Sequence, residues 1–141
     1  MMQIIKSQIK LPRFRLQVAA LILCIVPIAY MFGKTESCPE YLPAIVFVFL
    51  AVAAEVALFI FPGKKFSGFI ALGCVIFLAL SLCYFMCGGV LSVVDYIYGI
   101  KLFGDSTQFG AIVGYSVVLG LAVISGIVCC FFVKEQAEQI K

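Results

Sequence analysis

Four long apolar runs, separated by short polar segments, decide what this chain can fold into. The runs cover about residues 14–32, 41–61, 66–87 and 106–133. Each is close to or longer than the roughly 20 residues that an α-helix needs to cross the hydrocarbon core of a bilayer. We therefore predict an all-α integral membrane protein, a four-helix bundle with four transmembrane spans, in which residues 1–141 form a single domain.

The composition indicates lipid as the natural solvent of the chain. Hydrophobic residues make up 65% of the sequence and charged residues only 12%, whereas soluble domains contain roughly 45 to 50% and 25%. The net charge of +3 comes from residues in flanks and loops. These positions favour contact with membrane lipid headgroups over a nucleic-acid surface.

The distribution of Lys and Arg predicts the orientation. If both termini are cytoplasmic, the inner segments hold eight basic residues and the outer ones hold only Lys34 and Lys101. The eight are Lys6, Lys10, Arg13, Arg15, Lys64, Lys65, Lys134 and Lys141. We predict a plasma membrane protein with a basic N-terminal flank (residues 1–13) and a short C-terminal tail (residues 134–141), both inside. The flank either fixes orientation only or also lies on the inner membrane surface.

Proline and glycine predict how individual helices bend and end. Pro27 lies inside span one and should free the Leu23 carbonyl and kink the helix, while Gly88 and Gly89 predict the end of span three. For residues 88–105 we expect a structured outer segment with a short interfacial helix; a longer span three is the alternative. In this region Asp105 is a candidate N-cap of span four, with Gln108 three residues on. The other polar and aromatic candidates there are Asp95, Tyr96 and Tyr98.

Span four is rich in small residues, which mark contact faces between helices in lipid. They recur four residues apart in three pairs, but do not fall on one stripe of the helix. This spacing predicts two contact faces, one of which could equally serve self-association or another membrane protein. The residues are Gly110, Gly114, Ser116, Gly120, Ala122 and Gly126.

Glu55 is the only charged residue of span two. It lies six residues before Phe61, or about 9 Å inside the inner face, and counting from the same side places Ser125, Cys24 and Cys74 level with it. Since no basic residue is expected in this layer, the neutral acid is favoured, donating a hydrogen bond to Ser125 or a backbone carbonyl. Glu55 would then hold helices together; alternatives are a proton- or cation-responsive site, or exposure to lipid.

The sequence contains no histidine, which excludes catalysis by a His base and metal sites with His ligands. No phosphate-binding glycine loop is present, so no cofactor and no metal is predicted. Most of the seven cysteines fall in apolar runs, where a thiol behaves as a small hydrophobe. A disulfide between Cys38 and Cys87 is geometrically conceivable, and Cys129 and Cys130 would suit S-palmitoylation in a eukaryotic host.

Residues 95–110, "DYIYGIKLFGDSTQFG", with the spans around them, resemble small uncharacterised four-span membrane proteins of Gram-positive bacteria. The resemblance covers the second half of the chain and depends on the aromatic, Gly-Asp and Thr-Gln positions. It implies the same topology and a bacterial plasma membrane. No activity is known for the group, so the resemblance assigns no site residues.

These observations favour a non-enzymatic accessory protein that binds partners or lipid through its small-residue faces and its outer segment. The alternative is a small oligomeric transporter or channel subunit that uses Glu55 as its coupling residue. An enzyme is not predicted.

Overall fold

A computed structural model of the chain describes the backbone of residues 12–36, 39–61, 65–101 and 106–139, and the side chains of residues 14–36, 39–61, 65–101 and 107–132. Within these ranges every regular element is helical. The first span consists of α1 (Pro12–Leu23) and α2 (Ile25–Lys34). The other three are α3 (Tyr41–Ile60), α4 (Ser67–Tyr98) and α5 (Phe109–Gln139). Within the described residues, four helical spans are long and apolar enough to cross a membrane when α1 and α2 are counted as one span. This confirms the predicted fold class.

The spans form an up-and-down bundle in which each is antiparallel to the next. Both α3 and α5 pack along α4, while the first span contacts α5 mainly through α1 and α3 through α2. The rings of Phe14 and Phe59 meet at one end of the bundle, with centroids 5.1 Å apart, and those of Tyr30 and Tyr41 meet at the other, 6.3 Å apart. We call the end where α1 begins and α5 ends the terminal end, and the opposite end the far end.

The helix of the first span is broken at Cys24, close to Pro27, where the sequence predicts a kink. Regular helix stops at Leu23 and resumes at Ile25, with Cys24 between them at φ −70° and ψ −13°. Proline has no N–H to donate to the carbonyl four residues earlier, which is that of Leu23. The backbone N–H of Cys24 is shared between two carbonyls, those of Ala20 and Leu21, each at 3.2 Å.

The third span does not end at Gly88 and Gly89, so the predicted break and the separate interfacial helix are wrong. Instead α4 is continuous for 32 residues, or about 48 Å, as in the alternative of a longer span three. The two glycines allow neighbouring helices to approach closely. A Cβ on Gly88 would lie 2.5 Å from Tyr41 Cε1, and one on Gly89 would lie 2.8 Å from Ile112 Cγ2.

The helix α4 ends at Gly99, eleven residues after the predicted break. Gly99 has φ +65°, a left-handed conformation that glycine adopts without strain, and its N–H donates back to the carbonyls of Asp95 and Tyr96. The predicted N-cap Asp105 lies outside the described residues. A single 3-10 turn, Ser106–Gln108, leads into α5.

Candidate functional site

Three spans are joined near the terminal end by a chain of hydrogen bonds through Cys74. From α1, Gln17 Nε2 donates to Cys74 Sγ on α4 at 3.5 Å, and the thiol donates to the carbonyl of Ala51 on α3, also at 3.5 Å. Gln17 is 3% exposed and Cys74 is 1% exposed. Polar groups are this well buried in a membrane span only when they contribute to packing or function, because lipid offers them no partner.

Glu55 faces the same region from α3. It lies one helical turn after Ala51, is only 7% exposed, and is within electrostatic range of the Cys74 thiol. The side chain is therefore buried inside the bundle, and the predicted alternative of exposure to lipid is not observed. We call Gln17, Glu55 and Cys74 the buried polar layer.

Ser125 and Cys24 were predicted to lie level with Glu55, and Ser125 to accept a hydrogen bond from it. A Cβ on Gly126, next to Ser125, would lie 3.0 Å from Cγ2 of Val75, the neighbour of Cys74 on α4. The hydroxyl Oγ of Ser125 is buried and makes no hydrogen bond, so the predicted bond from Glu55 is not formed. Cys24 is buried in the same apolar core cluster as Cys74.

Gln17 was not among the residues predicted from the sequence. The available signal was its amide, the only side-chain amide in residues 16–32. Such a group in lipid requires partners on neighbouring helices. Its Nε2 has one in Cys74, while its Oε1 is buried without a hydrogen bond.

At the far end, four aromatic rings meet, one from each span. The centroid of Tyr30 lies 4.8 Å from that of Tyr115 and 6.4 Å from that of Phe85, and Tyr41 stacks on Phe85 at 5.4 Å. We call Tyr30, Tyr41, Phe85 and Tyr115 the aromatic cluster. It fills the bundle interior at this end, because Tyr41 and Phe85 are almost completely buried.

Among the polar residues of the predicted outer segment, Gln108 contacts the aromatic cluster. The Tyr30 hydroxyl donates to Gln108 Oε1 at 2.5 Å, which joins the first span to the start of the fourth. Asp95 lies in the last turn of α4 and is 0% exposed, so it is a buried helical residue and not part of a polar loop. Tyr96 stacks on Phe109 at 4.1 Å, whereas Tyr98 is 73% exposed.

The small residues of span four divide into a packed group and an open group. Ala122 is buried, and a Cβ on Gly126 would lie 3.0 Å from Val75 Cγ2, so these two residues form a close contact with other spans. Gly110, Gly114 and Gly120 have open space where a Cβ would stand. The hydroxyl of Ser116 lies 2.7 Å from the Ile112 carbonyl of its own helix and 2.9 Å from Met86 Sδ of α4, and it can donate to either. Ser116, Ala122 and Gly126 therefore lie against other spans, whereas the three open glycines do not.

An apolar groove of about 330 Å³ lies between the first and fourth spans. We call it the apolar groove; it is lined by Leu16, Ala19, Ala20 and Leu23 of α1, and by Val118, Leu121, Ala122, Ile124, Ser125 and Val128 of α5. A second groove, between the third and fourth spans, has a volume of about 400 Å³ and includes Met86, Val113 and Val117. Glu55 lines neither groove.

None of the cysteines within the described residues forms a disulfide: Cys24, Cys74, Cys83, Cys87, Cys129 and Cys130. Cys38 lies outside these ranges, so its proposed pairing with Cys87 stays a prediction. Over the same ranges, no three Cys, Asp or Glu side chains are grouped as metal ligands would be.

Comparisons with known proteins identify no relative. No protein-family model matches the chain, and no curated protein or solved structure is similar to it.

Proposed function

We propose that this chain is a multi-pass protein of the cell membrane that acts without catalysis, by holding lipid or a partner protein against the outward surface of its spans. The apolar groove carries the proposal. Its volume of about 330 Å³ lies within the usual range for ligand pockets, roughly 300 to 1,000 Å³. Exposed Leu16, Leu23, Leu121 and Ile124 border it, so it opens towards the surrounding membrane.

The polar side chains of the bundle support this proposal, because the bonds they make join one span to another. Gln17 and Cys74 connect α1, α4 and α3, the Tyr30 hydroxyl reaches Gln108, and the Ser81 hydroxyl donates to the carbonyl of Ala44 at 2.9 Å. Such bonds stabilise packing between helices in lipid. They favour an interior that holds the bundle together and an exterior that binds.

The orientation is part of the proposal, with both termini in the cytoplasm. Eight of the ten basic residues flank the terminal end, which the positive-inside rule assigns to the cytoplasm. The resemblance of residues 95–110 to membrane proteins of Gram-positive bacteria supports a bacterial plasma membrane.

Native mass spectrometry of the chain extracted in a mild detergent tests the proposal. The wild type should retain bound lipid or protein mass, and Ala19→Phe should lose it because the new ring fills the apolar groove. Ala29→Phe is the matched control, since Ala29 is exposed on the same span but does not line the groove. A wild type that carries no bound mass under any mild detergent would contradict the proposal.

Transport with Glu55 as the coupling residue is the second candidate, favoured by the burial of this carboxyl beside Gln17 and Cys74. Proton or monovalent cation flux into liposomes, compared between wild type and Glu55→Gln, separates the two. An accessory protein should show no flux above empty liposomes in either form. Flux through the wild type that Glu55→Gln abolishes, while the bundle stays folded, would establish transport instead.

A further inference from the structure

We infer that the apolar groove holds one acyl chain of an anionic phospholipid from the leaflet at the terminal end. The inference rests on the proposed function and names the ligand class of the same groove. Three properties carry it: the size of the groove, the chemistry of its walls, and the charge at its entrance.

The size of the groove suits a hydrocarbon chain. Its α1 wall runs from Leu16 to Leu23, a rise of seven residues or about 10 Å. The cavity along this wall has a volume of about 330 Å³. A hydrocarbon chain is about 4 to 5 Å across and fills about 200 Å³, which fits.

The walls of the groove present hydrocarbon only. Nine of the ten lining residues are Ala, Val, Leu or Ile, and the tenth is Ser125. The hydroxyl of Ser125 is buried, so it is turned away from the groove opening. A ligand there gains nothing from polar atoms, which favours an acyl chain over a ligand with polar groups along its length.

A positive charge lies at the end of the groove that faces the terminal end of the bundle. Arg15 is exposed, precedes the lining residue Leu16 and is one helical turn from the lining residue Ala19. Residues 1–15 contain three further basic residues and no Asp or Glu. A guanidinium carries five donors and binds phosphate well, and basic juxtamembrane segments attract anionic lipids. An acyl chain in the groove would therefore bring its phosphate to Arg15.

The test uses the full chain in detergent with added phosphatidylglycerol or phosphatidylcholine, and counts retained lipid by native mass spectrometry. The wild type should keep one phosphatidylglycerol about fivefold more often than phosphatidylcholine. Arg15→Gln should remove this preference. Lys65 is an exposed cation at the same end, in the connection between α3 and α4, so Lys65→Gln should keep the preference. Ala19→Phe should lower retention of both lipids about tenfold, and Ala29→Phe should not.

Several outcomes would overturn the inference. Equal retention of the two lipids would show that the charge of the headgroup does not contribute to binding. Equal loss of lipid with Ala29→Phe and Ala19→Phe would show that the acyl chain is not held in this groove. A bound protein mass that Ala19→Phe removes, without bound lipid, would overturn the inference while leaving the proposed function standing. Absence of any bound mass would remove both.

Discussion

Ser81 makes a hydrogen bond between two spans whose contribution to stability can be measured separately. Its hydroxyl is fully buried and donates across to the carbonyl of Ala44 on the neighbouring span at 2.9 Å. Ser125 has an equally buried hydroxyl that makes no hydrogen bond. The two residues therefore form a natural pair for measuring what one such bond contributes.

We expect Ser81→Ala to lower the free energy of unfolding by about 1 kcal/mol, since interhelical bonds in membrane proteins contribute about 0.6 to 1.7 kcal/mol. The same substitution at Ser125 should be neutral or slightly stabilising, because it removes a hydroxyl that has no partner. Unfolding in mixed micelles of mild detergent and SDS measures both. Equal losses from the two variants would show that the Ala44 bond contributes nothing specific.

The sequence predicted part of the candidate site and missed the rest for a physical reason. Glu55 and Cys74 could be paired because both lie a few residues inside the same end of adjacent spans. Ser125 was expected to accept a hydrogen bond from Glu55, but its hydroxyl makes none. Gln17 was overlooked because a neutral amide does not change the charge pattern, although in lipid it needs partners almost as much as a carboxyl does.

At the scale of elements, the third span shows that glycine in a membrane helix has two opposite roles. Gly99 ends α4 by adopting a left-handed conformation, whereas Gly88 and Gly89 lie in continuous helix and let side chains of the second and fourth spans come close. A sequence cannot distinguish these roles, because the difference lies in the neighbouring helices. The existence of four helices was predictable from apolar run length alone, but this boundary was not.

Gly88→Ala should destabilise the bundle by about 1 to 3 kcal/mol, because its methyl group would overlap the ring of Tyr41, which is held between other rings. Gly73→Ala is the matched control on the same helix. A Cβ there meets nothing within 4 Å, so the substitution should be neutral or gain up to about 1 kcal/mol from helix propensity. Thermal unfolding in detergent compares them, and similar melting temperatures for both variants would refute the close-contact role.

At the scale of the whole molecule, the proposed orientation depends on where the basic residues lie relative to the bundle. We expect a green fluorescent protein fused to the C-terminus to fluoresce in intact bacteria, and alkaline phosphatase fused at the same place to be inactive, because the proposed orientation places the terminal end in the cytoplasm. Replacing Lys64 and Lys65 by Gln should leave this result unchanged, since six basic residues remain at that end. Active phosphatase in the unaltered chain would reverse the proposed topology.

The aromatic cluster has a consequence for the order in which the protein is made. Each of its four rings comes from a different span, and Tyr115 belongs to the fourth, which leaves the ribosome after the other three. Until that span is synthesised, Tyr30 lacks its closest ring partner, and it also lacks the Gln108 amide oxygen that accepts the hydrogen bond from its hydroxyl. The far end can therefore close only after span four has been synthesised, so a chain truncated before that span would expose an unfinished interface that quality-control proteases can recognise.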